Sequence, residues 1–336
     1  MKHPWLAPLT PLYAAGLALR ELRLKKGWEA VERLHWPVIS IGNLSTGGSG
    51  KTPLTIALAR ALTRRGLQVD VLSRGYGGES KLPARVLSDG SAEAFGDEPM
   101  LMAQEAGVAV YVAAQRYQAG LMAEAARPAS QHLAVHLLDD GFQHRQLHRD
   151  FDIVLLDRQD WQDSLLPAGN LREPRKALRR AGVIAIAAEE PELEPELQKD
   201  LKAWGWQGPV WRLHRKMEIP SVNGPVVAFC GIARPAQFFA GLETGGLQIA
   251  ARFAFRDHHR YSAADLKRLV SAARISGAAV LLTTGKDLVR LGKLASDFPE
   301  SLRLQTAGLR IEIENESEAI DWLEERLKKS LADPPL

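Results

Sequence analysis

The glycine-rich segment at residues 42–52 constrains the fold of this 336-residue chain more than any other feature. It follows a short apolar run at 37–42 and leads into a stretch of helical character that starts at Pro53. A phosphate chain is bound by a concave row of backbone N–H groups, and glycines let that backbone come close and turn sharply. The helix adds the positive end of its dipole. The segment therefore predicts a phosphate-binding loop between a β-strand and an α-helix.

Individual side chains of this loop match tasks in triphosphate binding. We expect Lys51 to face solvent in the empty loop and to reach the β- and γ-phosphates, and the Thr52 hydroxyl to ligate Mg²⁺. The strict pattern has glycine where Ser45 stands, so Gly47 and Gly48 are expected to give the loop its flexibility instead. The residues predicted to bind the nucleotide are Ser45, Thr46, Gly47, Gly48, Ser49, Gly50, Lys51 and Thr52.

Short apolar runs alternate with helical stretches through the first half of the chain. Most are continuously apolar, as expected for parallel strands that are covered on both faces. The predicted strands are 37–42, 69–73, 108–113, 133–139, 151–157 and 183–188. A second series begins at Val226, with strands at 226–230, 250–255, 279–284 and 309–314. The pattern predicts an α/β fold with a doubly wound, mostly parallel sheet and a second, smaller α/β/α domain.

These runs divide the chain into four predicted parts. Residues 1–36 form an N-terminal helical segment, and residues 37–208 form the domain with the phosphate-binding loop. Residues 209–224 form a two-stranded linker, with extended segments at 210–215 and 218–222. Residues 225–336 form the second α/β domain. Two domains are also the expectation for a chain of this length.

The N-terminus is apolar but too short to span a bilayer as a helix. Residues 4–19 carry no charge, whereas about 20 apolar residues are needed to cross. Thr10 and Pro11 are typical of an N-cap and a first helical residue. An apolar stripe and a basic flank follow at helical spacing, Leu12, Ala15, Leu19 and Leu22 with Arg20, Arg23 and Lys26. Two interpretations stay open: an amphipathic helix in the headgroup layer of an anionic membrane, or a helix packed on the domain surface.

A phosphate-binding loop of this kind needs an acidic metal ligand on a neighbouring strand. Asp139 and Asp140 end one predicted strand, and carboxylates there point into the crevice where open α/β sheets bind ligands. One of the two is expected to hold Mg²⁺, and Asp157 at the end of the next strand is a competing candidate. His144 and His148 have metal-ligand spacing, but no further residue completes a zinc site, so we interpret them as solvated side chains.

Three further clusters combine turn residues with charges. Asp97, in the segment Gly-Asp-Glu-Pro at 96–99, is either a helix N-cap or a base. Arg172 lies in a polar loop at 166–174 that suits phosphate binding. His258 follows a predicted strand in the second domain, in a loop where histidines are usually just exposed.

Composition limits the class of protein. The chain has 43 basic and 40 acidic residues, a net charge of +3, so no nucleic-acid partner is expected because such proteins show a strong basic excess. Its single cysteine, Cys230, excludes an internal disulfide and stands in an apolar run, where a buried, inert thiol is expected. A reducing, cytosolic compartment fits this usage. No protein partner is inferred.

Taken together, these motifs resemble one family, the tetraacyldisaccharide 4′-kinases of lipid A biosynthesis. The matching segments lie in order over most of the chain, at residues 42–53, 73–77, 96–99, 139–144, 171–174 and 255–259. One segment departs from the family pattern: residues 284–287 read Thr-Gly-Lys-Asp where the family has Thr-Glu-Lys-Asp. Gly285 cannot supply the acidic side chain of that glutamate.

The resemblance implies transfer of the γ-phosphate of ATP, with Mg²⁺, to the 4′-hydroxyl of a tetraacyl glucosamine disaccharide 1-phosphate, which gives lipid IVA. It also implies two α/β/α domains, a short β linker and an N-terminal helix that docks on the cytoplasmic face of the bacterial inner membrane as a peripheral contact. The apolar stripe of residues 1–36 is then membrane-facing, because an acylated substrate stays in the bilayer.

The resemblance also assigns residues. Lys51 and Thr52 would hold the phosphates and the metal, Asp139 and Asp140 would serve the metal, and Arg116 and Arg172 would contact phosphate. Asp97 and His258 match the acid–base pair of the family. We therefore predict that Asp97 and His258 meet across the domain cleft and together deprotonate the sugar hydroxyl.

Two other classes of protein are the alternatives. An ATP-driven switch of the membrane-positioning or partitioning kind has a similar loop, but its signature lysine is replaced by Thr46 here. Asp97 and the second domain also argue against it. A GTPase would carry an Asn-Lys-x-Asp segment that reads the base, which this sequence lacks.

Overall fold

The computed structural model describes residues 3–47, 50–80, 82–126 and 133–332. Its strands are β1 (Val38–Asn43), β2 (Gln68–Ser73), β3 (Ala84–Arg85), β4 (Ala109–Val112), β5 (Ala134–Asp139), β6 (Phe151–Leu156), β7 (Val183–Ala187), β8 (Val210–Glu218), β9 (Val226–Cys230), β10 (Ile249–Ala254), β11 (Val280–Thr284) and β12 (Arg303–Ile313).

The α-helices alternate with these strands, and short 3₁₀ segments lie at Pro4–Leu9, Arg175–Arg180 and Gly292–Asp297. The helices are α1 (Thr10–Lys25), α2 (Lys51–Arg64), α3 (Ala92–Phe95), α4 (Asp97–Glu105), α5 (Arg116–Ala126), α6 (Arg158–Gln162), α7 (Leu193–Ala203), α8 (Pro235–Thr244), α9 (Ala263–Ser276), α10 (Gly285–Leu291) and α11 (Glu316–Ala332).

The strands form one continuous sheet in the order β10-β9-β11-β12-β8-β7-β6-β1-β5-β2-β4-β3. Neighbours pair in parallel except β3 with β4 and β8 with β12. The sheet thus has a first section, β3 to β8, and a second section, β9 to β12, that runs in the opposite sense. The predicted mostly parallel α/β fold is confirmed, and β1 lies between β5 and β6 in the first section.

Helices cover both faces of the first section, which explains why most of its strand sequences are continuously apolar, whereas β8, β10 and β12 alternate or are partly exposed. All six residues of β1 are buried. The helices α2 and α11 pack in the same core as Ile39 and Ile41 of β1. The boundary predicted at residue 225 stays a prediction, and α11, which it assigns to the second domain, packs with α2 of the first.

Two local predictions are wrong. Thr10 is the first residue of α1 rather than its N-cap, because a 3₁₀ turn at Pro4–Leu9 already carries helical backbone into the helix. The linker contains one strand, β8, rather than two extended segments; β8 ends at Glu218, two residues before Pro220, which cannot donate a ladder hydrogen bond. Among the described residues, no helix is both long and apolar enough to cross a membrane.

Candidate active site

The predicted phosphate-binding loop lies between β1 and α2. Gly50 has a φ of 93°, in the left-handed region that glycine adopts without strain, and it precedes the first turn of α2. The buried amide of Asn43 links both ends of the loop: its Nδ2 donates to Gly47 O over 3.3 Å, and its Oδ1 accepts from Lys51 Nζ over 3.0 Å. These bonds hold the described part of the loop in shape.

The described nucleotide-binding candidates range from buried to exposed, with Thr46 exposed and Gly47, Gly50 and Lys51 half-buried. The side chain of Lys51 is only 15% exposed, so the prediction that it faces solvent is wrong; its ammonium is held by Asn43 and lies 3.5 Å from Asp140 Oδ1. Ser45 and Thr52 are buried, and Thr46 N–H donates to the Asn170 carbonyl over 3.0 Å. Gly48 and Ser49 lie outside the described residues.

Asp139 ends β5 directly beside β1 and has the environment of a cation ligand. Its carboxylate is buried, and Thr55 Oγ1 on the first turns of α2 lies 3.4 Å from Oδ1. Burial, together with the charges of Glu98 and Asp140, raises the pKa of Asp139 well above its ordinary value. A divalent cation would relieve this cost, and carboxylate and hydroxyl oxygens are the ligands that Mg²⁺ prefers. Asp139 and the buried hydroxyl of Thr52 therefore fit a magnesium site.

Asp140 is engaged by two cations. Its two oxygens accept two hydrogen bonds from the Arg172 guanidinium over 2.8 and 3.0 Å, and Lys51 Nζ lies 3.5 Å from Oδ1 of the same carboxylate. Burial opposes ionisation, but the hydrogen bond from Arg172 and the charge of Lys51 outweigh it and hold the pKa of Asp140 at about 2. The φ of Asp140 is 48°, a conformation that costs a non-glycine residue energy and persists where its surroundings impose it.

Asp97 and His258 are in direct contact. Asp97 is the first residue of α4, and Gly96 precedes it as the N-cap, so the capping interpretation of Asp97 is wrong. Asp97 Oδ1 accepts from Glu98 N–H over 3.0 Å, and Oδ2 lies 3.1 Å from His258 Nδ1. The same Oδ2 accepts from Nε and Nη2 of Arg290, with Nε at 2.8 Å.

His258 and Arg290 together set the electrostatics of Asp97. Burial alone would raise the pKa of Asp97, but the hydrogen bond with His258 and the charge of Arg290 outweigh it and hold that pKa far below its usual value. The hydrogen bond with Asp97 raises the pKa of His258, against the opposing effect of partial burial. His258 has a φ of 56°, and its ring makes an edge contact with Tyr76 at 6.0 Å between centroids. The carboxylate therefore stays ionised and orients the imidazole.

The segment at 284–287 supports Arg290. Thr284 caps α10, and the fully buried Asp287 accepts from Gly231 N–H, from the Tyr261 hydroxyl and from Arg290 Nη1 over 3.0, 3.0 and 3.1 Å. Lys286, the residue directly before Asp287, forms an ion pair with Glu98 beside Asp97. The segment at 284–287 thus anchors Arg290, which the sequence analysis did not identify.

Arg116 is buried within electrostatic reach of Asp139 and Asp140, and its assignment to phosphate contact stays a prediction. It begins α5, is 8% exposed and donates from Nη1 to the Ala114 carbonyl over 3.0 Å. Burial and the charge of Arg74 lower the pKa of Arg116 to about 10, against the favourable charges of Asp140 and Asp139. Binding of a phosphate beside it would stabilise the charged form of this buried guanidinium.

The remaining metal candidates have other surroundings. Asp157 caps α6, where its Oδ1 accepts from Asp160 N–H over 2.7 Å, and its Oδ2 lies 3.7 Å from Arg234 Nη2. His144 and His148 are half-buried rather than solvated. Within the described part of the chain, no three His, Cys, Asp or Glu side chains are grouped to hold a metal ion by themselves.

Comparison with known proteins places this chain in one family. The family model LpxK, tetraacyldisaccharide-1-P 4'-kinase, matches residues 2–328. The tetraacyldisaccharide 4'-kinase of Koribacter versatilis is 45% identical over 298 residues, which cover 85% of this chain and 88% of the relative. That of Geobacter metallireducens is 39% identical, covering 87% and 89%.

A solved structure agrees with these sequence relatives. LpxK from Aquifex aeolicus, determined in complex with ATP, superposes with a TM-score of 0.76 at 32% identity, covering 96% of this chain and 98% of that one. The chain belongs to the LpxK family of tetraacyldisaccharide-1-P 4'-kinases, and it is an ATP-dependent kinase that phosphorylates the 4′ position of a lipid A precursor.

Proposed function

We propose that this kinase transfers the γ-phosphate of ATP to the 4′-hydroxyl of a tetraacyl disaccharide 1-phosphate in the crevice between the phosphate-binding loop and His258. The observation that carries the proposal is the contact between Asp97 and His258, two residues from different sections of the sheet. The charge of Glu98, next to Asp97, contributes to the raised pKa of Asp139, which supports placing the base and the predicted metal site in one crevice.

We assign the phosphates and the metal to the first section of the sheet. Lys51, Arg172 and Arg116 supply positive charge for the triphosphate, and the N–H groups of the loop line its path. Thr52 and Asp139 would hold Mg²⁺, with Asp140 beside them. When bound, Mg²⁺ neutralises the charge that develops on the phosphate oxygens.

We assign proton transfer to His258. Asp97 holds Nδ1, which leaves Nε2 of the neutral imidazole to accept the proton of the sugar hydroxyl while the hydroxyl oxygen attacks the γ-phosphorus. The bond from that phosphorus to the leaving ADP oxygen breaks in the same transfer. Asp97, kept ionised by Arg290, then stabilises the imidazolium.

The test follows labelled γ-phosphate from ATP. Label on the glycolipid supports the kinase, and label found only as free phosphate would support an ATP-driven switch instead. Asp97→Asn and His258→Ala should each lower kcat about a hundredfold or more, in the range for loss of a general base. The double variant should be little worse than either, since the two act as a unit. Additive losses, or normal kcat in Asp97→Asn, would rule out the pair.

We further propose that α1 docks on the cytoplasmic face of the inner membrane. None of its residues is buried, and large apolar side chains on and beside it are exposed, namely Trp5, Leu9, Leu12, Leu19, Leu22 and Trp28. Its last turn carries Arg23 and Lys25, which favour an anionic surface. Tyr13 donates to the Arg172 carbonyl over 2.9 Å, so the docked helix would border the active site.

Vesicle sedimentation tests this docking. Deleting residues 1–26 should release the enzyme from anionic vesicles and raise KM for the acylated substrate while ATP affinity is kept. A milder variant, Leu12→Gln with Leu19→Gln, should weaken vesicle binding without loss of folding, since both side chains are exposed. Ile275→Gln, 85% exposed on α9, is the matched control and should bind normally. Full sedimentation of the truncated protein would place the membrane contact elsewhere.

A further inference from the structure

Arg234 brings a cation from the second section of the sheet to the phosphate-binding loop. It lies just before α8, and its Nη2 is 3.7 Å from Asp157 Oδ2. A Cβ built on Gly47 would lie 3.8 Å from the same Nη2. Neither the family resemblance nor the sequence motifs assign a role to this arginine.

The ion pair between Arg234 and Asp157 is loose. At 3.7 Å it exceeds hydrogen-bond distance, and the guanidinium side chain is 31% exposed, so its donors can turn toward another acceptor. Asp157 and Asp160 are both buried below the loop, and Arg234 offsets their charge. In this arrangement Asp157 serves as a resting partner for the arginine.

The position of Gly47 indicates which part of a triphosphate Arg234 would meet. Lys51 Nζ lies 3.5 Å from the Gly47 carbonyl, and the lysine of such loops reaches the β- and γ-phosphates. The guanidinium therefore stands near the part of the triphosphate path that holds the β- and γ-phosphates. In other phosphoryl-transfer enzymes an arginine supplied in cis or in trans stabilises the charge that develops at this point.

We propose that Arg234 is a further catalytic residue: it exchanges Asp157 for a γ-phosphate oxygen of ATP and stabilises the charge that develops during transfer. Arg234 gains and loses no proton and forms no covalent bond in this role. The proposal rests on ATP-dependent transfer at this loop. It makes the second section of the sheet contribute directly to nucleotide chemistry, in addition to His258.

The test compares Arg234→Ala with Arg252→Ala, an arginine of the same section whose exposed ion pair with Glu243 is outside the crevice. Arg234→Ala should lower the single-turnover rate at least about a hundredfold, as expected for losing one preorganised charged donor. It should weaken ATP binding more than ADP binding, because only ATP carries the γ-phosphate. Arg252→Ala should stay within about twofold of wild type in rate. Arg234→Lys should fall in between, since lysine keeps the charge but loses the planar fork.

A structural role would give a different result. If Arg234 only balances Asp157, Arg234→Ala should change the melting temperature and leave the turnover rate within about twofold, which would overturn the proposal. Equal losses of ATP and ADP affinity with unchanged kcat would also overturn it. An inactive Lys51→Ala beside a fully active Arg234→Ala would show that only this inference fails, while transfer at the loop stands.

Discussion

Arg290 should be a large single contributor to stability and catalysis, although no sequence motif marks it. The side chains of Arg290 and Asp97 are 7% and 6% exposed, and Arg290 also contacts Asp287 and the Gly231 carbonyl. Arg290→Met leaves the buried carboxylates of Asp97 and Asp287 without this cation. Removing one partner of a buried pair costs about 3–5 kcal/mol of unfolding free energy because the remaining charge is uncompensated.

An exposed pair supplies the matched control. Arg310 and Glu218 join β12 to β8 with side chains 52% and 60% exposed, and such pairs contribute about 0.2–1 kcal/mol. Arg310→Met should therefore lower the free energy of unfolding by less than about 1 kcal/mol. Both free energies are measured by urea unfolding with the slope fitted for each variant. A loss in Arg290→Met no larger than in Arg310→Met would refute the reasoning.

The double variant separates stability from catalysis. When Asp97→Asn and Arg290→Met are combined, both charges of the pair are removed and Asp97 no longer remains as an uncompensated buried carboxylate. The total loss of unfolding free energy should therefore be about 1–3 kcal/mol smaller than the sum of the two single losses. The kcat value should stay low in the double variant, because neither substitution restores the partner of His258. Strict additivity of the unfolding free energies would show that the two side chains are not coupled.

Three further predictions follow from the same contacts. Lys51→Ala should abolish transfer at little cost in melting temperature, because Arg172 still pairs with Asp140 while the charge that stabilises the transferred phosphate is lost; near-normal turnover would contradict the loop assignment. The kcat of the wild type should rise with pH through the raised pKa of His258, since only the neutral ring accepts a proton, and in Asp97→Asn the midpoint should move to lower pH. Gly285→Glu should cost about 1–3 kcal/mol of unfolding free energy, because its Cβ would lie 2.8 Å from Leu101 Cδ1; a urea midpoint like that of wild type would contradict this.

Most strands of the first section could be predicted because burial on both faces requires an unbroken run of apolar residues. The loop at 42–52 could be predicted for a similar reason, since its function depends on local backbone shape. The first half of β12 was not predicted, because residues 303–308 do not form an unbroken apolar run. They form a strand because β11 supplies a parallel partner beside them. The linker prediction failed likewise, since β8 depends on its pairing with β12.

The ion pairs of the site could not be read from the sequence. The sequence predicted Asp139 and Asp140 as an acidic pair. It did not predict the ion pair between Arg172 and Asp140, because Arg172 lies in a loop 32 positions away. Arg290 and Arg234 sit in helices and loops of unremarkable composition, and only tertiary packing gives them partners. The motif at 284–287 pointed to the right segment, although its meaning as the support of Arg290 required the contacts of Asp287.

The two sections of the sheet meet at one crevice although they run in opposite senses. Ligands bind at the carboxyl ends of strands in open α/β sheets, yet the antiparallel pair of β8 and β12 would direct those ends of β1 and β9 to opposite edges. From β1 to β9 there are six steps between neighbouring strands. An ordinary sheet twist of about 20–25° per step would turn the second section by about 120–150° relative to β1, which would largely offset the reversal. Such a turn would bring His258, after β10, toward Asp97, and the packing of α10 on α4, with Arg290 bound to Asp97, holds their 3.1 Å contact.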